Sequence, residues 1–161
     1  MKKACIICDI DGVYTDSKEW NKHIPTNIKD REGWTNFLRY SNLCKPNKPM
    51  ILVLNMLSKV FPILFVTSRE NFGNMRKITK KQIREFSGGA INVGPLCKHK
   101  LLMREANDFR EAHIVKEEIL KRDILPFYYP LMAIDDEPSN VEMFRKNNIL
   151  TKYYTDLRKG N

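Results

Sequence analysis

Ala4-Cys5-Ile6-Ile7-Cys8-Asp9-Ile10-Asp11-Gly12 is the stretch that decides how the rest of the chain folds. Five apolar residues run without polar alternation, as in a strand covered on both faces, and such strands belong to parallel sheets flanked by helices. Asp11-Gly12 then marks a turn. Asp9 and Asp11 are two apart at the strand end, so their side chains start on the same side before the turn redirects the backbone. The basic start Met1-Lys2-Lys3 looks like the opening of an export signal, but Asp9 ends the apolar run far too early for export or membrane spanning.

The same strand disposes of a metal reading for Cys5 and Cys8. Side chains three apart on a strand face opposite ways, so the two sulfurs cannot share a ligand. Cys5, Cys8, Cys44 and Cys97 are therefore read as buried, reduced core residues, which implies a cytoplasmic, cytosolic protein. His23, His99 and His113 share no ligand spacing and are read as structural or surface residues.

Outward from this strand the pattern repeats. Pro49 opens an apolar helical stretch to about Lys59, and Ile63 to Val66 is a second buried strand closing on Thr67-Ser68-Arg69. Asn71 to Phe86 is helical and basic, with Arg76, Lys80 and Arg84 four apart and Lys77 and Lys81 beside them; a solvated face is the simpler reading, a nucleic-acid track the other. Leu101 to Met103 is a candidate strand, Ile114 to about Arg122 a helix, and Leu131 to Ile134 a third clear strand ending at Asp135-Asp136. Pro138 suits a helix first turn, and Ile149 to Tyr154 reads as an edge strand. Residues 17–47 are polar, with Trp34, Phe37 and Tyr40 as aromatic islands, and read as a small cap inserted in the domain. Alternating strands and helices over 161 residues predict one α/β domain, residues 1–161, with a mostly parallel central sheet.

A hydrophobic share of 42% excludes a disordered chain, and a net charge of +9 argues for an anionic partner. Ligands of such sheets collect at the carboxyl ends of the strands. There the three clear strands deliver Asp9 and Asp11, then Thr67, Ser68 and Arg69, then Asp135 and Asp136. Four carboxylates in a small volume cannot all stay ionised without a cation, and oxygen-only ligation favours a hard one, Mg²⁺ above others.

Asp-x-Asp-Gly-Val-x-x-Asp over Asp9 to Asp16 resembles the first motif of the haloacid dehalogenase superfamily. Val66-Thr67-Ser68-Arg69, Lys116 and Ala133-Ile134-Asp135-Asp136 resemble the second, third and fourth motifs, in order. Val115 to Ile119, Leu131 to Phe144 and Leu101 to Arg104 with Asp108 and Arg110 are further similar to the 3′-phosphatase domain of phage polynucleotide kinases and related viral phosphatases. The resemblance implies a three-layer α/β/α, Rossmann-like fold and a phosphomonoesterase. It also assigns roles: Asp9 would attack phosphorus to give an aspartyl-phosphate, and Asp11 would protonate the leaving alcohol and then activate water. Thr67, Ser68, Arg69 and Lys116 would bind the phosphate, with Lys116 also neutralising Asp9. Mg²⁺ would be held by Asp9, the backbone carbonyl of Asp11, and Asp135, with Asp136 close behind.

The subgroup usually places an acidic residue about four before the lysine, where this chain has Ala112 and His113, so the group orienting Lys116 or Arg69 is open. A basic residue common soon after the first motif is replaced by Lys18-Glu19-Trp20. The expected substrate is a nucleic-acid 3′-phosphate end or a nucleotide. The alternatives are a small-metabolite or nucleoside monophosphate phosphatase, and a non-catalytic nucleic-acid-binding module using aromatics such as Trp20 and Trp34; the paired acids Asp9 and Asp11 weigh against the last. No G-x-x-x-x-G-K-[ST] loop accompanies these motifs, so kinase activity would have to come from another protein.

Overall fold

The first strand, β1, runs over Lys3–Cys8 and lies in the middle of a five-stranded sheet. The computed structural model describes residues 2–19, 23, 25–26, 30–41 and 43–155, excepting the side chains at 31, 34, 38 and 39. Trp20 and the Trp34 side chain, invoked above for nucleic-acid binding, lie outside the described residues.

In chain order the elements are β2 (Thr15–Asp16), α1 (Arg31–Ser41), β3 (Lys45–Pro46), α2 (Lys48–Ser58), β4 (Ile63–Glu70), α3 (Met75–Phe86), β5 (Lys100–Arg104), α4 (Ala112–Ile119), β6 (Tyr128–Asp135), α5 (Pro138–Lys146) and β7 (Thr151–Tyr153). The sheet order is β5-β4-β1-β6-β7 and every pairing in it is parallel. All five carboxyl ends therefore point to one edge, which brings the three polar strand ends together.

Alternate residues of β1 feed two separate cores. Ile6 and Cys8 join Met50 and Leu54 of α2 and Met75 and Ile83 of α3 on one face. Cys5 and Ile7 join Val115 and Ile119 of α4 and Met143 and Phe144 of α5 on the other. This is the expected three-layer arrangement, and it puts Cys5 and Cys8 on opposite sides of the sheet. Burial pushes the Cys5 and Cys44 thiols up to about 12 and Cys8 well above its ordinary value, so these thiols stay protonated and unreactive. Cys97 departs from the expected set: it is only partly buried, in a turn whose N–H bonds the Gly94 carbonyl. His99 is structural, its Nδ1 accepting from the Ile63 N–H at 3.0 Å.

Several element bounds differ from the sequence reading for local reasons. The helix expected from Asn71 starts at Met75, because Gly73 adopts φ +53°, which a right-handed helix cannot continue. β6 starts three residues before Leu131, and a bulge after Pro130 lets the strand pair with β1 through a residue that has no N–H to offer. The helix expected to run to about Arg122 keeps α geometry only to Ile119 and then widens into a π turn, Leu120–Ile124.

Within residues 17–47 the described elements include α1 and β3, the latter pairing antiparallel with β2. On the basic face of α3, Arg76 is tied to Asn71 Oδ1 and the Leu101 carbonyl, and Lys81 lies 3.7 Å from Glu85. Among the described residues no helix is long and apolar enough to cross a membrane.

Candidate active site

β1 delivers Asp9 directly after its last residue, where the Asp9 N–H still bonds the Ile134 carbonyl of β6. The chain then closes a tight turn in which the N–H groups of Val13, Tyr14 and Thr15 all aim at the Ile10 carbonyl. Gly12 sits in this turn at φ +83°, and a Cβ there would collide with the Asp136 carboxylate. Glycine is thus required twice, by the backbone conformation and by the approach of the Asp136 carboxylate.

Oxygens of Asp9, Asp135 and Asp136 lie within 4.8 Å of one another. Lys116 rises from α4 beneath them, with Nζ 2.8 Å from Asp9 Oδ1 and 2.8 Å from Asp135 Oδ2. Asp135 is held further by the Glu137 N–H and by Asn140 Nδ2, at 3.1 and 2.9 Å. Burial would depress the Lys116 ammonium, but the Asp9 and Asp135 carboxylates outweigh it and hold it above its ordinary range. Asp9 is driven well above the usual carboxylate range by burial, opposed by Lys116 and reinforced by the neighbouring acids. Asp136 is pushed up to about 7, again chiefly by burial and then by Asp135.

Two buried carboxylates, a half-buried third and one ammonium leave an excess of negative charge. A divalent cation among Asp9, Asp135 and Asp136 would offset it, and the donor set, all oxygen, fits Mg²⁺. The residues present therefore fit the implied metal.

The fourth aspartate is placed differently. Asp11 turns away from the cluster and takes a two-pronged contact from Arg69, Nε to Oδ2 at 2.7 Å and Nη2 to Oδ1 at 2.6 Å. Thr67, Ser68 and Arg69 occupy a stretch of β4 where the pairing with β5 slips between Thr67 and Glu70, which aims them out of the strict pleat. Thr67 Oγ1 accepts from the Arg69 N–H at 3.1 Å, and the Ser68 carbonyl accepts from Arg104 Nε at 2.9 Å. Arg69 is buried, and its remaining hydrogen bonds go to Thr79 Oγ1 and Gln82 Oε1 of α3. The orienting groups for Arg69 thus come from Asp11 and α3, and those for Lys116 from Asp9 and Asp135, while α4 carries Ala112 and His113 where the subgroup has an acid.

Sequence reasoning overlooked Asn140, Thr79 and Gln82. Asn140 had a usable signal, since it lies five residues after Asp135, in the first turn of the helix that Pro138 opens. Thr79 and Gln82 had none, being polar residues in a helix read as solvated.

A parallel sheet that gathers aspartates and a buried lysine at its carboxyl edge defines a phosphoryl-transfer hydrolase of the haloacid dehalogenase class. Sequence comparison matches residues 3–153 to the family described as Polynucleotide kinase PNKP phosphatase domain. The chain belongs to that family, and it is a phosphatase.

Among solved structures, a chain of the "Pnkp1/Rnl/Hen1 complex" superimposes with a TM-score of 0.70 at 22% identity, covering 95% of this chain and 46% of that one. A chain of the "Pnkp1/Rnl/Hen1 RNA repair complex" gives 0.71 at 21% identity, covering 95% and 42%. The hydrolase SP0104 from Streptococcus pneumoniae, a haloacid dehalogenase-like family protein, gives 0.57 at 14% identity, covering 93% and 83%. The chain spans less than half the length of the first two, and at these identities the likeness is one of fold. No curated protein matches it by sequence.

Proposed function

We propose that the protein is a Mg²⁺-dependent phosphomonoesterase that works through an aspartyl-phosphate on Asp9 and acts on nucleic-acid 3′-phosphate ends or nucleotides. The observation that carries this reading is the gathering of Asp9, Asp135 and Asp136 around Lys116 at the carboxyl edge of the sheet. Asp9, Asp135 and Asp136, with the Asp11 carbonyl, would hold Mg²⁺, which supplies positive charge against the phosphoryl oxygens.

An Asp9 carboxylate oxygen attacks phosphorus, the ester P–O bond breaks, and protonated Asp11 gives its proton to the departing alcohol oxygen. Ionised Asp11 next takes a proton from water, whose oxygen attacks phosphorus as the bond to Asp9 breaks; phosphate leaves and both aspartates are regenerated. Lys116 favours the ionised form of Asp9 against its burial and orients it through the 2.8 Å contact. Thr67 and Ser68 border the phosphate position from β4. Arg69 acts on Asp11 through its two-pronged contact. The net charge of +9 favours an anionic polymer end as substrate.

Phosphate release from p-nitrophenyl phosphate, measured with Mg²⁺ and with a chelator, tests the chemistry. Activity should vanish on chelation, return with Mg²⁺, and fall by at least about a thousandfold in Asp9→Asn; turnover unchanged in that variant sinks the covalent mechanism. For the substrate, 3′-phosphorylated oligonucleotides should be preferred, with kcat/KM falling as salt rises. Equal turnover of nucleoside monophosphates without a salt effect points instead to a metabolite phosphatase.

A further inference from the structure

Gln82 lies buried on α3 between two parts of the molecule that the chemistry must bring together. Its Oε1 accepts from Arg69 Nη1 at 2.9 Å, while its Nε2 donates to the Ser41 carbonyl at 3.2 Å. Ser41, whose carbonyl takes this bond, is the last residue of α1, in the insertion between β2 and β3. Gln82 and the Cys44 N–H, at 3.4 Å, both serve that carbonyl.

An amide has one end that only accepts and one that only donates. Reversing Gln82 would set its NH₂ against the guanidinium and its oxygen against the Ser41 carbonyl, so the two partners together fix one orientation. A guanidinium is a rigid plane. Pinning Nη1 between Gln82 Oε1 and Thr79 Oγ1, the latter at 3.2 Å, therefore fixes where Nε and Nη2 point, and both point at Asp11.

We propose that Gln82 is a positioning residue for Asp11, acting through Arg69, and that its bond to Ser41 makes this positioning depend on α1 being seated. The proposal rests on the acid-base role given to Asp11 above. Misplacing a reacting group by about 1 Å can cost on the order of a hundredfold in rate. A device that aligns the acid-base group only when the inserted segment is in place confines efficient turnover to the closed site.

The leaving group separates this role from simple structural support. An alkoxide needs the proton that Asp11 supplies, whereas p-nitrophenolate leaves without it. The measure is kcat/KM, which covers steps up to phosphoryl transfer, for p-nitrophenyl phosphate and for an alkyl ester, either a 3′-phosphorylated oligonucleotide or a nucleoside monophosphate, whichever the wild type turns over. Gln82→Met removes both hydrogen bonds at similar volume; it should lower the alkyl value by about tenfold or more and the aryl value by less than about threefold. Gln82→Glu keeps an acceptor towards Arg69 but loses the side-chain donor to Ser41, so hydrogen exchange in α1 should rise and the ratio of the two values should fall between those of the wild type and the Met variant.

Equal losses on both esters, or a Glu variant as skewed as the Met variant, overturn the proposal. If Gln82→Met does not fold, Thr79→Val removes the other partner of Nη1, and an unchanged ratio there overturns it equally. Wild-type turnover that survives Asp9→Asn defeats the reading of Asp9, and this proposal with it; equal losses alongside Asp9-dependent turnover defeat the proposal alone.

Discussion

The site has two cations, and they are built in different ways. Lys116 stands inside the domain, its side chain 1% exposed, between Asp9 and Asp135, which are themselves 9% and 1% exposed. Arg69 is equally buried, but its carboxylate partner Asp11 keeps 22% exposure, and its other contacts run to Thr79 and Gln82, the latter bonded to α1. The lysine centre is thus made by the sheet and the helix packed beneath it, and the arginine centre by the seam between the sheet and the inserted segment. Charge held inside the core contributes to folding and chemistry at once, whereas charge at the seam can shift the chemistry with less effect on the fold.

The largest effect should follow from Lys116→Met. It leaves two buried carboxylates without their cation, which should cost about 3–5 kcal/mol in metal-free protein near pH 8, by denaturant unfolding. Kcat should fall at least about a hundredfold. The stability loss should shrink towards pH 5 as Asp9, already held above the usual carboxylate range by burial, takes up its proton, and a pH-independent loss would break the contrast between the two centres.

Arg69→Lys sharpens the same contrast. A lysine keeps the charge but not the planar fork, so unfolding should move by only about 1–2 kcal/mol while kcat drops on the order of tenfold or more. A larger stability loss than that of Lys116→Met would reverse the assignment of core and seam.

Gly12→Ala places a Cβ against Asp136 and forces an L-residue to φ +83°. The expected cost is about 1–3 kcal/mol, with weaker Mg²⁺ dependence of activity because Asp136 is displaced. A variant with normal Mg²⁺ titration would mean that Asp136 is not part of the metal cradle.

A further effect is one of pH. Burial lifts Asp136 from an ordinary 3.8 to about 7, so the folded, metal-free protein binds more protons than the unfolded chain between those values. Stability should therefore fall as pH rises from about 4 to about 7, with the full contribution present only below the unfolded value. Saturating Mg²⁺ should flatten or reverse that slope, because the ionised cluster then gains a partner; equal slopes with and without Mg²⁺ would argue against a cation site there.

Much of this was legible in the sequence. The two-sided apolar run of Ala4 to Cys8 announces a central parallel strand, and the polar residues that end each strand meet because parallel strands share one carboxyl edge. What was harder to read has local causes. Gly73 delays α3, Pro130 needs a bulge in β6, and the shared edge alone does not say whether Asp11 joins the metal cluster or turns to Arg69.

Periodicity and motif order, properties carried by neighbouring residues, were enough to specify the layers of this protein, its family and the aspartates that gather at the carboxyl edge of its sheet. The partners of each charge depend on residues far apart in the chain: Lys116 between Asp9 and Asp135, Arg69 against Asp11, Gln82 reaching Ser41. Electrostatic pairing acts over a few ångströms of space whatever the distance along the chain, so only packing of the sheet, the helices and the inserted segment settles it.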